Sequence, residues 1–236
     1  MKKKIGFIVA ICLVMTMFCL SIGLGVYYQW LDNERINREN ILKMFADYYD
    51  YKVAAFKEEN ETLTDVDVAF LGDSLTDGYD LKTYYPQYVT ANRGIGGDTT
   101  YGLERRLDCS AYDINPKVIV MLIGINNIDT MLENYERIVT SLETNLPSSK
   151  IILLSLTSMT LEWGRNNEKA KSRNVVIQDI AQRHNCTFID LYSVLLDPNT
   201  NELRMEYTVD GGHFTAKGYE VITNTITPYL QALLGK

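Results

Sequence analysis

Four short, almost unbroken apolar runs alternate with helical patterns along this chain, and this alternation most constrains its fold. The runs lie at 66–71, 118–123, 151–156 and 187–191, with a weaker fifth at 88–92. Strands that are apolar along their whole length are typical of parallel sheets covered on both faces. The helical patterns lie between and after them, at 99–107, 131–146, 167–183 and 215–234. The sequence therefore predicts a doubly wound α/β sandwich.

The chain has 236 residues, and residues 65–236 have the size of one compact domain. Three segments precede it: a predicted cytoplasmic N-terminus at 1–4, an uncharged apolar run at 5–28, and a polar and aromatic juxtamembrane segment at 29–64. As a helix, the apolar run would be about 36 Å long, enough to cross a bilayer core of about 30 Å. The sequence therefore predicts a transmembrane anchor at 5–28.

The orientation of this anchor follows from the three lysines that precede it. Lysines next to a span favour the cytoplasmic side, so the domain at 65–236 is expected outside the cell. The alternative is a cleaved secretory signal, because Ser21, Gly23 and Gly25 are small residues of the kind found near cleavage sites. The length of the apolar run favours the anchor, since the core of a signal peptide has about 7 to 15 residues.

The segment after the anchor carries an apolar stripe. Leu42, Phe45, Tyr49 and Phe56 recur at spacings of three, four and seven, which predicts an amphipathic helix. Its stripe can pack on the domain or lie on the membrane surface, and packing is the favoured interpretation.

Composition excludes one class of partner. The chain carries a net charge of −7, and three of its 23 basic residues lie before the anchor, which argues against nucleic acid. Outside the apolar run the chain has two cysteines, Cys109 and Cys186. We interpret them as two separate thiols rather than a disulfide. Domains stabilised by disulfides usually have several cysteines, whereas these are a single pair far apart in the sequence.

Ser74 follows the first apolar run at a glycine turn, in the sequence VAFLGDSLTDG at 68–78. Gly72 permits the tight turn, and the hydroxyl is then presented at the carboxyl edge of the sheet, where open α/β folds bind ligands. A serine there can act as a nucleophile if a base takes its proton and donors stabilise the oxyanion.

The base has to come from one of two histidines. His213 follows Asp210 by three residues across a glycine pair, so the carboxylate can hold the imidazole with its other nitrogen facing the serine. We expect this turn to be flexible. His184 ends a helical pattern, and we interpret it as an exposed helix-end residue.

Two segments that follow strands could donate hydrogen bonds to an oxyanion. The sequence NRGIGGDT at 92–99 opens a helix, and its backbone N–H groups are therefore accessible. The sequence GINN at 124–127 offers the carboxamide of Asn126. The structural alternatives are a tight turn for the glycines and a helix cap for Asn126. Phosphate binding is disfavoured, because Thr99 replaces the third glycine of the dinucleotide motif and no glycine-lysine pair completes a phosphate loop.

In this order, the segments GDSL, GIGGDTT, GINN and DGGH resemble the GDSL or SGNH hydrolase family over nearly all of residues 66–222. The resemblance is greatest to the branch that includes platelet-activating-factor acetylhydrolase-like esterases. It implies a three-layer, flavodoxin-like sandwich with five parallel strands. Asn127 is a departure, since many members have aspartate there. The α/β-hydrolase fold is disfavoured, because the serine lacks the second glycine of that fold's elbow.

The resemblance also implies roles for five residues. Ser74 is the expected nucleophile, and Asp210 and His213 are the expected remaining members of a catalytic triad. The expected oxyanion hole consists of the backbone N–H groups of Ser74 and Gly97 and the carboxamide of Asn126. Asp73 is expected only to support the loop. No metal or organic cofactor is implied.

The expected function is a membrane-anchored, extracytoplasmic ester hydrolase that removes short O-acyl groups through an acyl-serine intermediate. Its substrate would be a small-molecule, glycan or lipid ester. Two alternatives stay open: a lysophospholipase or lipase-like acyl hydrolase acting at the membrane, and a catalytically silent glycan-binding module. Tyr79 and Trp163 either line the acceptor pocket or pack the loops.

Overall fold

The structure is a computed structural model that describes residues 2–164 and 166–235. Within the first helix, the side chains at 2–4, 6–14 and 19 lie outside this description. The chain divides into two compact units, residues 1–47 and 48–236. This division falls inside the predicted juxtamembrane segment.

The first unit contains the first part of helix α1 (Lys2–Asn60). None of the helices in the described part of the chain combines the length and the apolar character that crossing a membrane requires. The predicted anchor at 5–28 therefore finds no support there, and its side chains at 6–14 and 19 are outside the described residues.

The second unit is built on a five-stranded parallel sheet, as the apolar runs predict. The strands are β1 (Val68–Gly72), β2 (Thr90–Gly94), β3 (Val118–Leu122), β4 (Lys150–Leu154) and β5 (Thr187–Ile189). Their order across the sheet is β2-β1-β3-β4-β5, which is the flavodoxin-like order. A short antiparallel pair, β6 (Leu196–Asp197) and β7 (Glu202–Leu203), was not predicted.

Helices connect these strands. The α-helices are α2 (Ser74–Asp77), α3 (Leu81–Tyr84), α4 (Thr100–Arg105), α5 (Tyr135–Asn145), α6 (Asn167–Arg183), α7 (Leu191–Leu195) and α8 (Ala216–Leu234). Short 3₁₀ helices lie at Ile125–Asn127, Met131–Glu133, Leu161–Trp163 and Met205–Tyr207, and a π-helical turn lies at Asp108–Tyr112. The pattern at 167–183 predicts α6 to the residue, whereas the pattern at 131–146 includes a separate 3₁₀ turn.

Alternate residues of each strand face opposite sides of the sheet and enter two cores. Leu71 and Met121 are buried on one side, in the core that includes residues of α5 and α6. Phe70 and Val120 are buried on the other, with residues of α8. Because both faces are covered by helices, the strands need no polar face, which explains the almost unbroken apolar runs.

The sheet has its topological switch point between β1 and β3. From β1 the chain goes to β2 on one side and then crosses to β3 on the other. Gly72, at the end of β1, is paired with Gly94 and with Leu122. The segments after these three strands therefore emerge side by side, at the edge where open α/β sheets bind ligands.

The last part of α1 belongs to the second unit. Phe56 is buried and forms a small core with Ile95 and Cys109, against which Tyr49 is packed. In the same predicted stripe, Leu42 and Phe45 are exposed. Of the four residues in the predicted stripe, only Tyr49 and Phe56 therefore pack against the second unit.

The two cysteines outside the apolar run, Cys109 and Cys186, are free thiols, as favoured by the sequence. Cys109 is buried, and burial raises the pKa of the Cys186 thiol to about 11.

Phe56 provides a test that the end of α1 is part of the second unit. Phe56→Ala is expected to lower the free energy of unfolding by about 3–5 kcal/mol, because it leaves a cavity in a packed core. Phe45→Ala, on the same helix but 45% exposed, should change it by less than about 0.5 kcal/mol. Denaturant unfolding of both variants measures the difference, and equal effects would contradict the assignment.

Candidate active site

Ser74 opens the short helix α2 directly after β1. The side chain of Asp73 caps this helix by accepting a hydrogen bond from the backbone N–H of Leu75 at 3.1 Å. Gly72 is required by close approach, since a Cβ there would lie 2.5 Å from the carbonyl oxygen of Leu122. The backbone around the serine is thus held by the sheet on one side and by the Asp73 cap on the other.

His213 lies in a turn that the carboxylate of Asp210 organises. One carboxylate oxygen, Oδ1, accepts hydrogen bonds from the backbone N–H groups of Gly212 and His213, at 3.0 and 2.8 Å. The other, Oδ2, lies 2.7 Å from Nδ1 of His213. Gly211 has a φ of +100°, and a Cβ at this position would lie 2.2 Å from Oγ1 of Thr160. The turn is therefore closely packed around Gly211.

The structure brings Ser74 and His213 together, although 139 residues separate them. Nε2 of His213 lies 2.9 Å from Oγ of Ser74, which is hydrogen-bond distance. With Asp210 on the other ring nitrogen, the three side chains form a continuous chain of contacts. The side chains of His213 and Asp210 are 38% and 40% exposed, so the site is open to solvent.

The charge of Asp210 determines which way the imidazole is held. Partial burial acts to raise the pKa of this carboxyl, but hydrogen bonds from the His213 ring and from the backbone N–H groups of His213 and Gly212 outweigh it. The pKa of Asp210 therefore lies below its usual value. An ionised carboxylate only accepts hydrogen bonds, so Nδ1 carries the proton and a neutral ring presents a bare Nε2 to the serine.

The predicted oxyanion segment forms a β-turn from Ile95 to Asp98. The N–H of Asp98 donates to the carbonyl of Ile95 at 3.1 Å, and the N–H of Ile95 donates to Gly72 at 3.2 Å. Gly97, the third residue of the turn, has a φ of +78°, as a type II turn requires. Within the described residues, no hydrogen bond occupies the backbone N–H of Ser74 or Gly97.

Asn126 lies in the 3₁₀ turn that follows β3, at the same edge of the sheet. Its Nδ2 donates to the carbonyl oxygen of Asp98 at 2.9 Å, which places the carboxamide against the glycine turn. The neighbouring Asn127 accepts from the backbone N–H of Thr100 and donates to its hydroxyl, at 3.2 and 2.9 Å. Asn127 thus connects the segment after β3 to the first turn of α4.

Arg106 is a buried residue of the site that the sequence did not reveal. Its guanidinium donates to the carbonyl oxygens of Gly72 and Arg93, each at 2.9 Å, and contacts the Asp98 carboxylate at 2.8 Å. Burial raises the pKa of Asp98, although the charge of Arg106 opposes the shift. The sequence does not indicate that Arg106 rather than its neighbour Arg105 is buried, because burial depends on how the segments pack.

The two aromatic residues that could line a pocket have different positions. The ring of Trp163 lies 4.9 Å from the His213 ring at an interplanar angle of 88°, an edge-to-face arrangement. Tyr79 is buried in the core, where its hydroxyl lies 2.6 Å from that of Thr223. Tyr79 therefore packs the fold, whereas Trp163 borders the site.

His184 is placed away from the serine. Its Nδ1 lies 2.7 Å from Glu143 and its Nε2 lies 3.1 Å from Glu136. Its side chain is 16% exposed, so the interpretation of an exposed residue is wrong, although it does cap the end of α6. In the described part of the chain, no group of three or more His, Cys, Asp or Glu side chains is arranged to hold a metal ion.

The low pKa of Asp210 predicts a pH dependence of stability. A depressed pKa in the folded state stabilises the fold above the unfolded value of about 3.9, and this contribution is lost as the pH falls through the folded value. Wild type and Asp210→Asn should therefore differ in free energy of unfolding by less below about pH 4 than at about pH 5, where the carboxylate is ionised in both the folded and the unfolded state. Denaturant unfolding from pH 3 to 7 measures this, and a difference independent of pH would contradict it.

The sequence of the chain is similar to those of known hydrolases. The profile of the GDSL-like lipase/acylhydrolase family matches residues 70–221, more than half of the chain. Human platelet-activating factor acetylhydrolase IB subunit alpha2 is 38% identical over 123 residues, which cover 48% of this chain and 52% of that protein. The chain thus matches about half the length of this curated relative.

Two solved structures have the same fold. A Streptococcus pneumoniae protein described as a platelet activating factor is 26% identical, with a TM-score of 0.77 over 83% of this chain and 98% of its own. An acetyl xylan esterase is 25% identical, with a TM-score of 0.58 over 70% of this chain and 99% of its own.

Proposed function

Because the chain belongs to the GDSL-like lipase/acylhydrolase family, we propose that it is a serine ester hydrolase that removes short O-acyl groups. The observation that carries this proposal is the contact of 2.9 Å between Nε2 of His213 and Oγ of Ser74, with Asp210 on the opposite nitrogen. Acyl transfer through serine requires a hydroxyl, a base that contacts it, and a carboxylate that orients the base. The three side chains are arranged in this order.

The reaction begins when His213 takes the proton of Ser74 and Oγ forms a bond to the ester carbonyl carbon. The carbonyl oxygen becomes an oxyanion, and Asp210 stabilises the imidazolium. The intermediate collapses as the bond to the alcohol oxygen breaks, and His213 gives the proton to that oxygen. A water molecule, deprotonated by His213, then attacks the acyl-serine by the same route. The products are a carboxylic acid and the free serine.

The oxyanion is stabilised by the backbone N–H groups of Ser74 and Gly97 and by the carboxamide of Asn126. This role is supported by the positive φ of Gly97, by the N–H groups that no described hydrogen bond occupies, and by the position of Asn126 against the glycine turn. Donors fixed before reaction stabilise developing charge without reorganising, which is the largest catalytic contribution in many enzymes.

A short acyl group on a large acceptor fits the site best. The curated relative is named an acetylhydrolase, and the solved esterase is named an acetyl xylan esterase. The exposure of His213 leaves room for a bulky acceptor such as a glycan.

Two exposed apolar side chains near the site favour a second candidate substrate. Leu161 and Val209 are 75% and 68% exposed, on the segments that carry Trp163 and His213. They would suit a lysophospholipid or another lipid ester.

A series of p-nitrophenyl esters separates these substrate classes. A preference for acetate over butyrate and octanoate supports the short O-acyl substrate, and acetylated glycans are then tested as donors. A preference for octanoate favours the lipid ester. No hydrolysis of any ester would instead favour a catalytically silent glycan-binding module.

The nucleophile is tested with Ser74→Ala. This variant should lose ester hydrolysis and should form no covalent adduct with a fluorophosphonate, because the attacking oxygen is absent. Intact-mass spectrometry of wild type and variant measures the adduct. An adduct of equal yield on Ser74→Ala would exclude Ser74 as the nucleophile.

The oxyanion hole is tested with Asn126→Ala. Removing one donor from such a site costs about 10² to 10³ in turnover, so kcat for p-nitrophenyl acetate should fall by this factor with little change in KM. Thermal unfolding controls for loss of the fold. Turnover near that of the wild type would remove Asn126 from the mechanism.

We also propose an extracytoplasmic location at a membrane, through the segment 5–28. The uncharged run after three lysines supports this proposal. Carbonate extraction of membranes and proteolysis of intact cells test it. Retention in the membrane with loss of the catalytic unit to external protease is expected, and recovery of the full-length chain in the soluble fraction would contradict the anchor.

A further inference from the structure

The direction of one backbone N–H in the proposed oxyanion hole depends on the type of a single turn. The turn from Ile95 to Asp98 has Gly97 as its third residue, with a φ of +78°. Type I and type II turns differ mainly by rotation of the peptide between their second and third residues. That peptide joins Gly96 to Gly97, so the turn type decides on which side the N–H of Gly97 points.

The side chain of Asp77 holds the second residue of this turn. Its Oδ2 accepts a hydrogen bond from the backbone N–H of Gly96 at 3.0 Å. Asp77 is the last residue of α2, the short helix that Ser74 opens. The carboxylate therefore connects the nucleophile segment to the Ile95–Gly96 peptide, which directly precedes the Gly96–Gly97 peptide.

Two residues of helix α1 hold this carboxylate in place. The hydroxyl of Tyr48 donates to Oδ2 of Asp77 at 2.7 Å, and Nζ of Lys52 contacts Oδ1 at 2.8 Å. The side chains of Lys52 and Asp77 are 20% and 16% exposed, so this ion pair is largely shielded from water. Tyr48 is itself 37% exposed, so its hydrogen bond is stronger than a neutral one because the acceptor is charged rather than because the donor is buried.

Tyr48 also lies against the turn itself. A Cβ added at Gly96 would lie 3.4 Å from the Tyr48 ring, at van der Waals contact, so the ring is a direct neighbour of this residue. Burial and the hydrogen bond to Asp77 raise the pKa of Tyr48 to about 12, and the phenol therefore remains a donor at neutral pH. Both residues precede residues 70–221, the part of the chain that matches the family.

We propose that Tyr48 and Lys52 are positioning residues, which act through Asp77 to keep the Gly96–Gly97 peptide in the orientation that stabilises the oxyanion. These two side chains of α1 then contribute to turnover and do not only support the fold. This inference rests on the proposed function, because the direction of the Gly97 N–H affects turnover only if an oxyanion forms there.

The test compares single substitutions in the full chain. Tyr48→Phe removes the hydroxyl but keeps the ring, and it should lower kcat for p-nitrophenyl acetate about tenfold with KM little changed. Lys52→Met should change kcat in the same direction. The inhibition constant of a trifluoromethyl ketone, which forms a tetrahedral adduct with serine, should rise by the same factor, because the adduct places its oxygen in the same hole.

Tyr49→Phe is the matched control. It makes the same change on the same helix and removes a hydrogen bond of 2.9 Å to the carbonyl of Gly102 rather than to Asp77. It should leave kcat and the inhibition constant unchanged. A loss in Tyr49→Phe as large as that in Tyr48→Phe would overturn the proposal, as would unchanged kcat and inhibition in Tyr48→Phe.

A double-mutant cycle tests the route through Asp77. In an Asp77→Ala background, Tyr48→Phe should no longer lower kcat, because the contact through which it acts is already gone. Full additivity of the two effects would overturn the proposal. Ser74→Ala distinguishes failure of the proposed function from failure of the positioning role. Normal hydrolysis by this variant would refute the proposed function. Hydrolysis that needs Ser74 but not Tyr48 would refute only the positioning role.

Discussion

The fully buried guanidinium of Arg106 lies where three segments of the candidate site meet. Burying a cation is costly unless its donors are paired, and here they contact the Asp98 carboxylate and the carbonyl oxygens of Gly72 and Arg93. These groups belong to the end of β1, the end of β2 and the glycine turn. A displacement of either strand end would leave a buried N–H donor without an acceptor, and a displacement of the turn would leave a buried charge unpaired, so Arg106 holds all three in one arrangement.

The compact unit that holds the candidate site is larger than the part of the chain that carries the motifs. The family match begins at residue 70, but the compact unit begins at residue 48. Phe56 lies beneath the guanidinium groups of Arg93 and Arg106, with its ring centroid 4.8 and 5.8 Å from them. The end of α1 from residue 48 thus belongs to the same unit as the site, and Tyr48 lies next to the glycine turn whose Asp98 contacts Arg106.

The features predicted correctly depend on local pattern. The parallel strands follow from apolar runs, and the contact of His213 with Ser74 was expected from the glycine turn after β1 and the spacing of Asp210 and His213. The features that local sequence did not predict depend on packing. Local sequence cannot show that the turn at Gly211 is packed, or that His184 lies between two glutamates, because these contacts come from segments distant in the chain.

By itself, the sequence determined the strand and helix periodicity, the glycine positions and the types of side chain available for chemistry. These are properties of neighbouring residues, since backbone sterics and apolar spacing act over a few positions. Only the tertiary structure decided which of two neighbouring side chains makes a contact: Arg106 rather than Arg105 in the interior, and Tyr48 rather than Tyr49 on Asp77. Such choices depend on how helices and strands pack, which is a property of the whole fold.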